Sequence, residues 1–571
     1  MYLPSFLLSL AFSAQNVFAS PLSTTTTKRS DTNSTKTDPT VHLTNGSYYG
    51  RHVDSFNQDF FLGIPFAEPP IGEGRFANPV TFNGSWEGSL PATEYAFHCI
   101  GYGPDQIGYQ QSEDCLYLNV VRPSGYENQT LPVAVWIHGG GFTEGGAPDR
   151  RYNLSFIVAN SLAIGKPIMA ASIAYRLGPF GFLNGDAIAS AGAINVGLKD
   201  QRLALHWINE NIAAFGGDPE KVTIWGESAG AASVGFHLTA FNGRDDGLFR
   251  AAIMESGGPV FFGELKKPGE YQPSYDTLVE KAGCANTTDS LACLRAIPFT
   301  VLNNVLNTTE SAAAGWWPAF DGDFVARYGS EQLKDGAFVH VPIIVGANSD
   351  EGTAFSPRGI DTEADLVGVI SATYPDAIVS KLVDAYVKTN TSDYLIPSSQ
   401  TLGGDLTFPL PYGRFWRRST SFSGDLAFIA GRRLTSQTWA AANIPTYSYR
   451  FNAIPNGMPF PISVTHFQEV AFVFNNLNGE GYAINPFGGT RQEGGYKGLS
   501  ELMSKSWASF VADLDPNEWV GRDGRVVSWP SYEEGQMNMV FDANVTSYAE
   551  VDNFREAGMK IINENWGVIK R

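Results

Sequence analysis

Cysteine is scarce in this chain, four residues in 571, and histidine and methionine number only eight each. With so few, no Cys-x-x-Cys and no His-Glu-x-x-His spacing occurs, so a zinc site is not expected and the metal expectation is none. Charged side chains make up 17%, and positive charge is the shorter supply: 39 Lys and Arg against 58 Asp and Glu leave a net charge of −19. Such a surface repels a phosphate backbone, which excludes nucleic acid as a partner. No apolar run approaches the ~20 residues that span a bilayer, and the end of the chain, Trp566 to Arg571, lacks the hydrophobic tail of a lipid-anchor signal, so no membrane anchor is expected. Internal repeats are absent, and so are low-complexity linkers beyond residue 40, which favours one large domain. Hydrophobic residues at 43% and aromatics at 13% exclude intrinsic disorder.

What is present begins with a targeting pattern. Residues 1–19 carry an apolar stretch, Phe6 to Phe12, then small residues Val17 and Ala19 at signal-peptidase spacing, and predict a secretory signal peptide. Residues 20–39 are Ser/Thr-rich, contain Lys28-Arg29 and have too few apolar residues to pack, as in a propeptide or flexible leader. Glycosylation sequons stand at Asn33, Asn45, Asn83, Asn128, Asn153, Asn286, Asn307, Asn390 and Asn544, in keeping with a secreted, extracellular glycoprotein. In an oxidising compartment the four cysteines pair; three pairings exist, and sequence proximity favours Cys99–Cys115 and Cys284–Cys293.

From residue 40 to 571, apolar runs of strand length alternate with helical patterns. Val133 to Ile137, Ile168 to Tyr175, Val222 to Trp225, Ala251 to Met254, Val341 to Val345 and Thr446 to Phe451 are predicted as buried strands. Asn195 to Phe215 and Ala229 to Leu238 are predicted helices, the first stopping at Gly216-Gly217. This alternation implies a mostly parallel sheet with helices on both faces, whose ligands sit at the carboxyl ends of the strands.

Strand Val222 to Trp225 runs straight into Gly226-Glu227-Ser228-Ala229-Gly230 and a helix, the pattern of a nucleophile elbow. A serine held in so sharp a turn needs neighbours without bulk, and it needs a histidine base oriented by a carboxylate. On this kind of fold the order is Ser, acid, His. Of the eight histidines only His237, His340 and His466 follow Ser228. His237 is carried more than two helical turns away, and His340 precedes its strand, at the wrong end; His466 remains. The strand Val341 to Val345 delivers both Asp350 and Glu351 at its C-terminal end, equally placed as the acid. His138-Gly139-Gly140-Gly141-Phe142, after Val133 to Ile137, offers backbone N–H groups for an oxyanion hole, completed by Ala229 N–H.

Together with these motifs, Phe61-Leu62-Gly63-Ile64-Pro65-Phe66-Ala67-Glu68-Pro69-Pro70, Ser112-Glu113-Asp114-Cys115-Leu116-Tyr117-Leu118-Asn119-Val120, Tyr175-Arg176-Leu177-Gly178 and Asp350-Glu351-Gly352 resemble the type B carboxylesterase family. That family, a branch of the α/β-hydrolases, holds cholinesterases, bile-salt-activated lipase and secreted fungal lipases and esterases. The likeness runs from about Val41 to about Val511. It implies an α/β-hydrolase fold in a single catalytic domain, Glu351 as the acid, His466 opening a His-x-x-Glu-x-x-Phe-Val-Phe motif, and oxyanion donors at Gly140, Gly141 and Ala229. It also implies disulfides Cys99–Cys115 and Cys284–Cys293, ion pairs Arg75–Glu113 and Arg176–Asp200, and no cofactor.

The implied activity is hydrolysis of a small-molecule or lipid ester. Lipases of the family carry a long amphipathic lid inside the first disulfide; here Cys99 to Cys115 encloses only Ile100 to Asp114, much of it polar or glycine. The expectation is a lidless carboxylesterase favouring soluble or short-to-medium acyl esters, with a lipase or sterol esterase as the alternative. The same loop lacks the tryptophan with which cholinesterases hold a quaternary ammonium, which disfavours that branch. A non-catalytic adhesion protein on this fold is expected to lose the serine, which is present here, and an amide or peptide hydrolase would share the apparatus.

Overall fold

The computed structural model describes residues 38–388, 408, 410–459, 461–488 and 493–571. The expected signal peptide, the leader up to Thr37 with Lys28-Arg29, and the sequons at Asn33 and Asn390 lie outside the described residues.

The segment Leu131–Ile137 shows how this sequence builds its architecture. Every second residue, Val133, Val135 and Ile137, enters one apolar core, while Ala134 and Trp136 between them enter another. A strand apolar on both sides must be covered on both sides. The strands of the main sheet are β1 (Arg51–Val53), β2 (Gln58–Pro65), β3 (Tyr117–Pro123), β4 (Leu131–Ile137), β5 (Met169–Ile173), β6 (Gly217–Glu227), β7 (Ala251–Glu255), β8 (Ile343–Asn348), β9 (Thr446–Phe451), β10 (Met537–Phe541) and β11 (Tyr548–Val551). Their spatial order is β1-β2-β3-β5-β4-β6-β7-β8-β9-β10-β11. From β5 through β10 every neighbouring pair is parallel, and the flanking pairs, β1 to β3 with β5 on one side and β10 with β11 on the other, are antiparallel.

Helices α1 (Ser155–Ala163), α2 (Val196–Asn211), α3 (Ala229–Thr239), α4 (Trp416–Gly424), α5 (Ala430–Ala441) and α6 (Glu493–Asp513) pack around it. Core residues of α2, α3 and α5 lie on one side of the sheet; those of α1 and α6 lie on the other. The expected helix Asn195 to Phe215 is α2 continued by a 3-10 turn, Ile212–Phe215, and it ends on Gly216 at φ 89°. Both expected disulfides form, Cys99–Cys115 and Cys284–Cys293, closing separations of 16 and 9 residues. Each restricts the unfolded chain by roughly 3 kcal/mol on the loop-entropy model. Arg75 and Glu113 pair in bidentate fashion at 2.6 and 2.8 Å, and Arg176 and Asp200 do so at 2.8 and 2.6 Å. Among the described residues no helix is long and apolar enough to cross a membrane.

Candidate active site

Strand β6 ends at Glu227 and α3 begins at Ala229, so Ser228 alone makes the turn between them. It does so at φ 56°, ψ −120°, a conformation that costs a non-glycine residue and persists only where the surroundings over-determine it. The flanking glycines make it possible. A Cβ at Gly226 would lie 2.4 Å from the carbonyl carbon of Gly230, and one at Gly230 would lie 2.0 Å from the Ile137 carbonyl oxygen. The turn is pinned by Ser228 N–H donating to the Glu255 carbonyl at 2.9 Å.

His466 stands in the segment after β9, with Nε2 2.8 Å from Ser228 Oγ and Nδ1 2.7 Å from Glu351 Oε2. Glu351 is fully buried, and its other oxygen accepts from Asn348 N–H at 2.6 Å and from Ser256 Oγ. Geometry thus separates the two carboxylates that strand position left equivalent, in the sense that the family resemblance implied. Asp350 turns away to pair with buried Arg417 and to accept from Val464 N–H at 3.2 Å, while Val464 carbonyl accepts from Asp350 N–H at 2.9 Å. Asp350 therefore fixes the segment that carries His466, and Glu351 faces the imidazole.

The glycine segment after β4 lies against the serine: a Cβ on Gly139 would stand 3.2 Å from Ser228 Cβ. Gly140 and Gly141 take φ of 95° and 61°, and the Gly140 carbonyl accepts from the N–H groups of Thr143 and Glu144 at 3.0 Å each. With its carbonyls thus turned into a tight turn, this segment and the start of α3 at Ala229 border the serine from two directions. His237, by contrast, is buried in α3 against Gln201, and His340 is exposed before β8, so neither approaches the site.

Three further carboxyls lie behind Ser228, His466 and Glu351. Burial pushes Glu227 well above the carboxylate range, helped by Glu469, Glu351 and Glu255. Burial and Glu469 do the same to Glu255, although the indole N–H groups of Trp225 and Trp507 donate to it at 2.7 and 2.6 Å. Glu469 is pushed up to about 7 by burial and by Glu351, against the pull of the Asn348 amide. Pushing these groups toward neutrality relieves Glu351 of like charge next to the imidazole.

Two residues at the site were not singled out from the sequence. Phe428 lies on a single π-helical turn, Asp425–Ile429, between α4 and α5, and stacks on the His466 ring at 4.7 Å and 11°. Ser256, at the C-terminal end of β7 with φ 55°, is the hydroxyl that meets Glu351. Its place beyond the carboxyl end of a predicted strand was the clue available. Phe355, half exposed, meets His466 edge-on at 5.1 Å and touches Phe428 at 5.5 Å.

A family model described as the carboxylesterase family matches residues 37–557, beyond both ends of the likeness seen in the motifs. "Secreted lipase 1" of Botryotinia fuckeliana is 34% identical over 543 residues, covering 88% of this chain and 89% of that protein. "Lipase 5" of Diutina rugosa is 34% identical over 562 residues, covering 91% and 95%. The crystal structure of Aspergillus niger EstA superposes with a TM-score of 0.78 at 26% identity, covering 94% of this chain and 99% of that one.

Proposed function

This chain belongs to the carboxylesterase family, and from that premise we propose that it is a secreted serine hydrolase of carboxylic esters acting through a Ser228–His466–Glu351 triad. The observation that carries the reading is the continuous contact from Ser228 Oγ through both imidazole nitrogens to a buried carboxylate. His466 takes the Ser228 proton as the oxygen attacks the ester carbonyl, and backbone N–H groups of Gly140, Gly141 and Ala229 receive the developing oxyanion. The alcohol leaves with the proton from His466. Water, deprotonated by the same ring, then cleaves the acyl-enzyme, while Glu351 holds the ring's orientation and stabilises its cation.

Secretion is supported by the apolar segment Phe6 to Phe12 and by a relative named as secreted. Exposure favours glycan addition at Asn83, Asn128, Asn286, Asn307 and Asn544. Asn153 instead spends its amide on the fold, accepting from Ser155 N–H at 3.0 Å and donating to Glu480 at 3.2 Å.

For the substrate, the short Cys99–Cys115 loop favours soluble or short-to-medium acyl esters. The names of the two relatives favour a second reading, a lipase acting on long-chain esters. Initial rates on nitrophenyl esters from acetate to palmitate, with Ser228→Ala as the blank, decide between them. We expect a short-chain optimum. A long-chain optimum establishes the lipase reading, and a rate that survives in Ser228→Ala removes the triad altogether.

A further inference from the structure

The loop closed by Cys99–Cys115 is bonded to the segment that follows the glycines after β4. Tyr102 N–H donates to the Thr143 carbonyl at 2.7 Å, Asp105 N–H donates to Glu144 Oε2 at 2.7 Å, and Gln106 Nε2 donates to the Gly145 carbonyl at 3.2 Å. Three successive acceptor residues, Thr143, Glu144 and Gly145, follow Gly140, Gly141 and Phe142, and the N–H groups of the first two close a turn on the Gly140 carbonyl. The fit is close: a Cβ at Gly103 would fall 2.0 Å from the Glu144 carboxylate, and Gln106 is buried although its neighbours Ile107 and Gly108 are exposed. Outside the turn the same loop is held by Arg151 to Asp105 at 2.7 Å and by Tyr102 OH to Asn303 at 2.7 Å.

We infer that the Cys99–Cys115 loop is a fixed strut for the oxyanion segment, in which Glu144 and Gln106 are positioning residues that set where Gly140 and Gly141 present their N–H groups. The inference rests on the proposed role of those glycines. A cover that opened would have to break all three bonds to the turn and so disorder the donors it uncovers. A strut keeps the donors in place before substrate arrives, which is where oxyanion stabilisation gains its effect. Displacing reacting groups by about 1 Å costs on the order of 10²-fold in rate, so partial release of the turn reads as a change in kcat rather than in substrate binding.

The experiment measures kcat and KM on nitrophenyl butyrate, and Ki for phenylboronic acid, in the full chain, Glu144→Ala, Gln106→Ala and Glu144→Gln. Phenylboronic acid accepts the electron pair of the Ser228 oxygen, whose proton passes to His466, and its own oxygen then occupies the oxyanion position. We expect each alanine variant to lose about tenfold in kcat and a similar factor in boronate affinity, with KM within about twofold. Glu144→Gln, which keeps an acceptor oxygen for Asp105 N–H, recovers most of the rate that Glu144→Ala loses. Gln106→Ala removes a separate bond and carries the prediction independently if Glu144→Ala fails to fold. Unchanged kcat and boronate Ki in the alanine variants overturn the strut. So does a gain in rate confined to emulsified tributyrin, the behaviour of a released cover. A full chain that does not bind the boronate at all instead overturns the proposed site on which the inference stands.

Discussion

At the scale of single residues, the two adjacent carboxylates Asp350 and Glu351 make the sharpest test, because in the proposed triad one side chain orients the base and the other holds the segment that bears it. Glu351→Gln leaves the volume in place but removes the charge that stabilises the imidazolium, and we expect kcat to fall on the order of 10³-fold or more with thermal stability little changed. Asp350→Asn strips buried Arg417 of its carboxylate partner, and breaking one side of such a pair costs about 3–5 kcal/mol. We expect that variant to melt many degrees lower while keeping more activity, in the cold, than Glu351→Gln. Parallel melting curves and rates settle the assignment, and a reversal of the two phenotypes defeats it. Position after the strand presented these neighbours as interchangeable, and the family resemblance pointed to Glu351; the turn that aims one side chain inward supplies the physical distinction.

At the scale of elements, the elbow is specified by contact rather than by propensity. Gly230→Ala forces a methyl group to within 2.0 Å of the Ile137 carbonyl, which is backbone and has no room to yield, so we expect loss of more than about 3 kcal/mol or failure to accumulate folded protein. A soluble Gly230→Ala with wild-type melting would refute that account. The central strands, from β4 to β8, were legible in sequence because each carries apolar residues on both faces, and β9 because tyrosine and phenylalanine alternate with polar residues along it. The outer strands were not: β1, β3, β10 and β11 pair antiparallel or close an edge, and the pattern of β11, half exposed along its length, carries no strong period. The π-helical turn that brings Phe428 over His466 was illegible for a different reason. One extra residue per turn depends on packing between α4 and α5, which local composition does not encode.

At the scale of the whole molecule, buried acid groups and a net charge of −19 act in one direction. Glu469, and with it Glu227 and Glu255, binds its proton more tightly in the folded chain than in the unfolded one. The stability contributed by a raised carboxyl is complete below the ordinary carboxylate range, near 4.5, and is lost as pH rises toward about 7 for Glu469. We therefore expect the melting temperature to fall between pH 5 and pH 7.5, and Glu469→Gln, which cannot titrate, to flatten that fall; parallel pH profiles for the two proteins would contradict this. The sheet also orders the proposed triad in time. Ser228, Glu351 and His466 stand at the carboxyl ends of β6 and β8 and beyond β9, with 238 residues separating serine from base. On the mechanism we propose, a nascent chain has its nucleophile long before it has anything to activate it, so it gains no power to cleave esters until residue 466 of 571 has been synthesised and the sheet has closed.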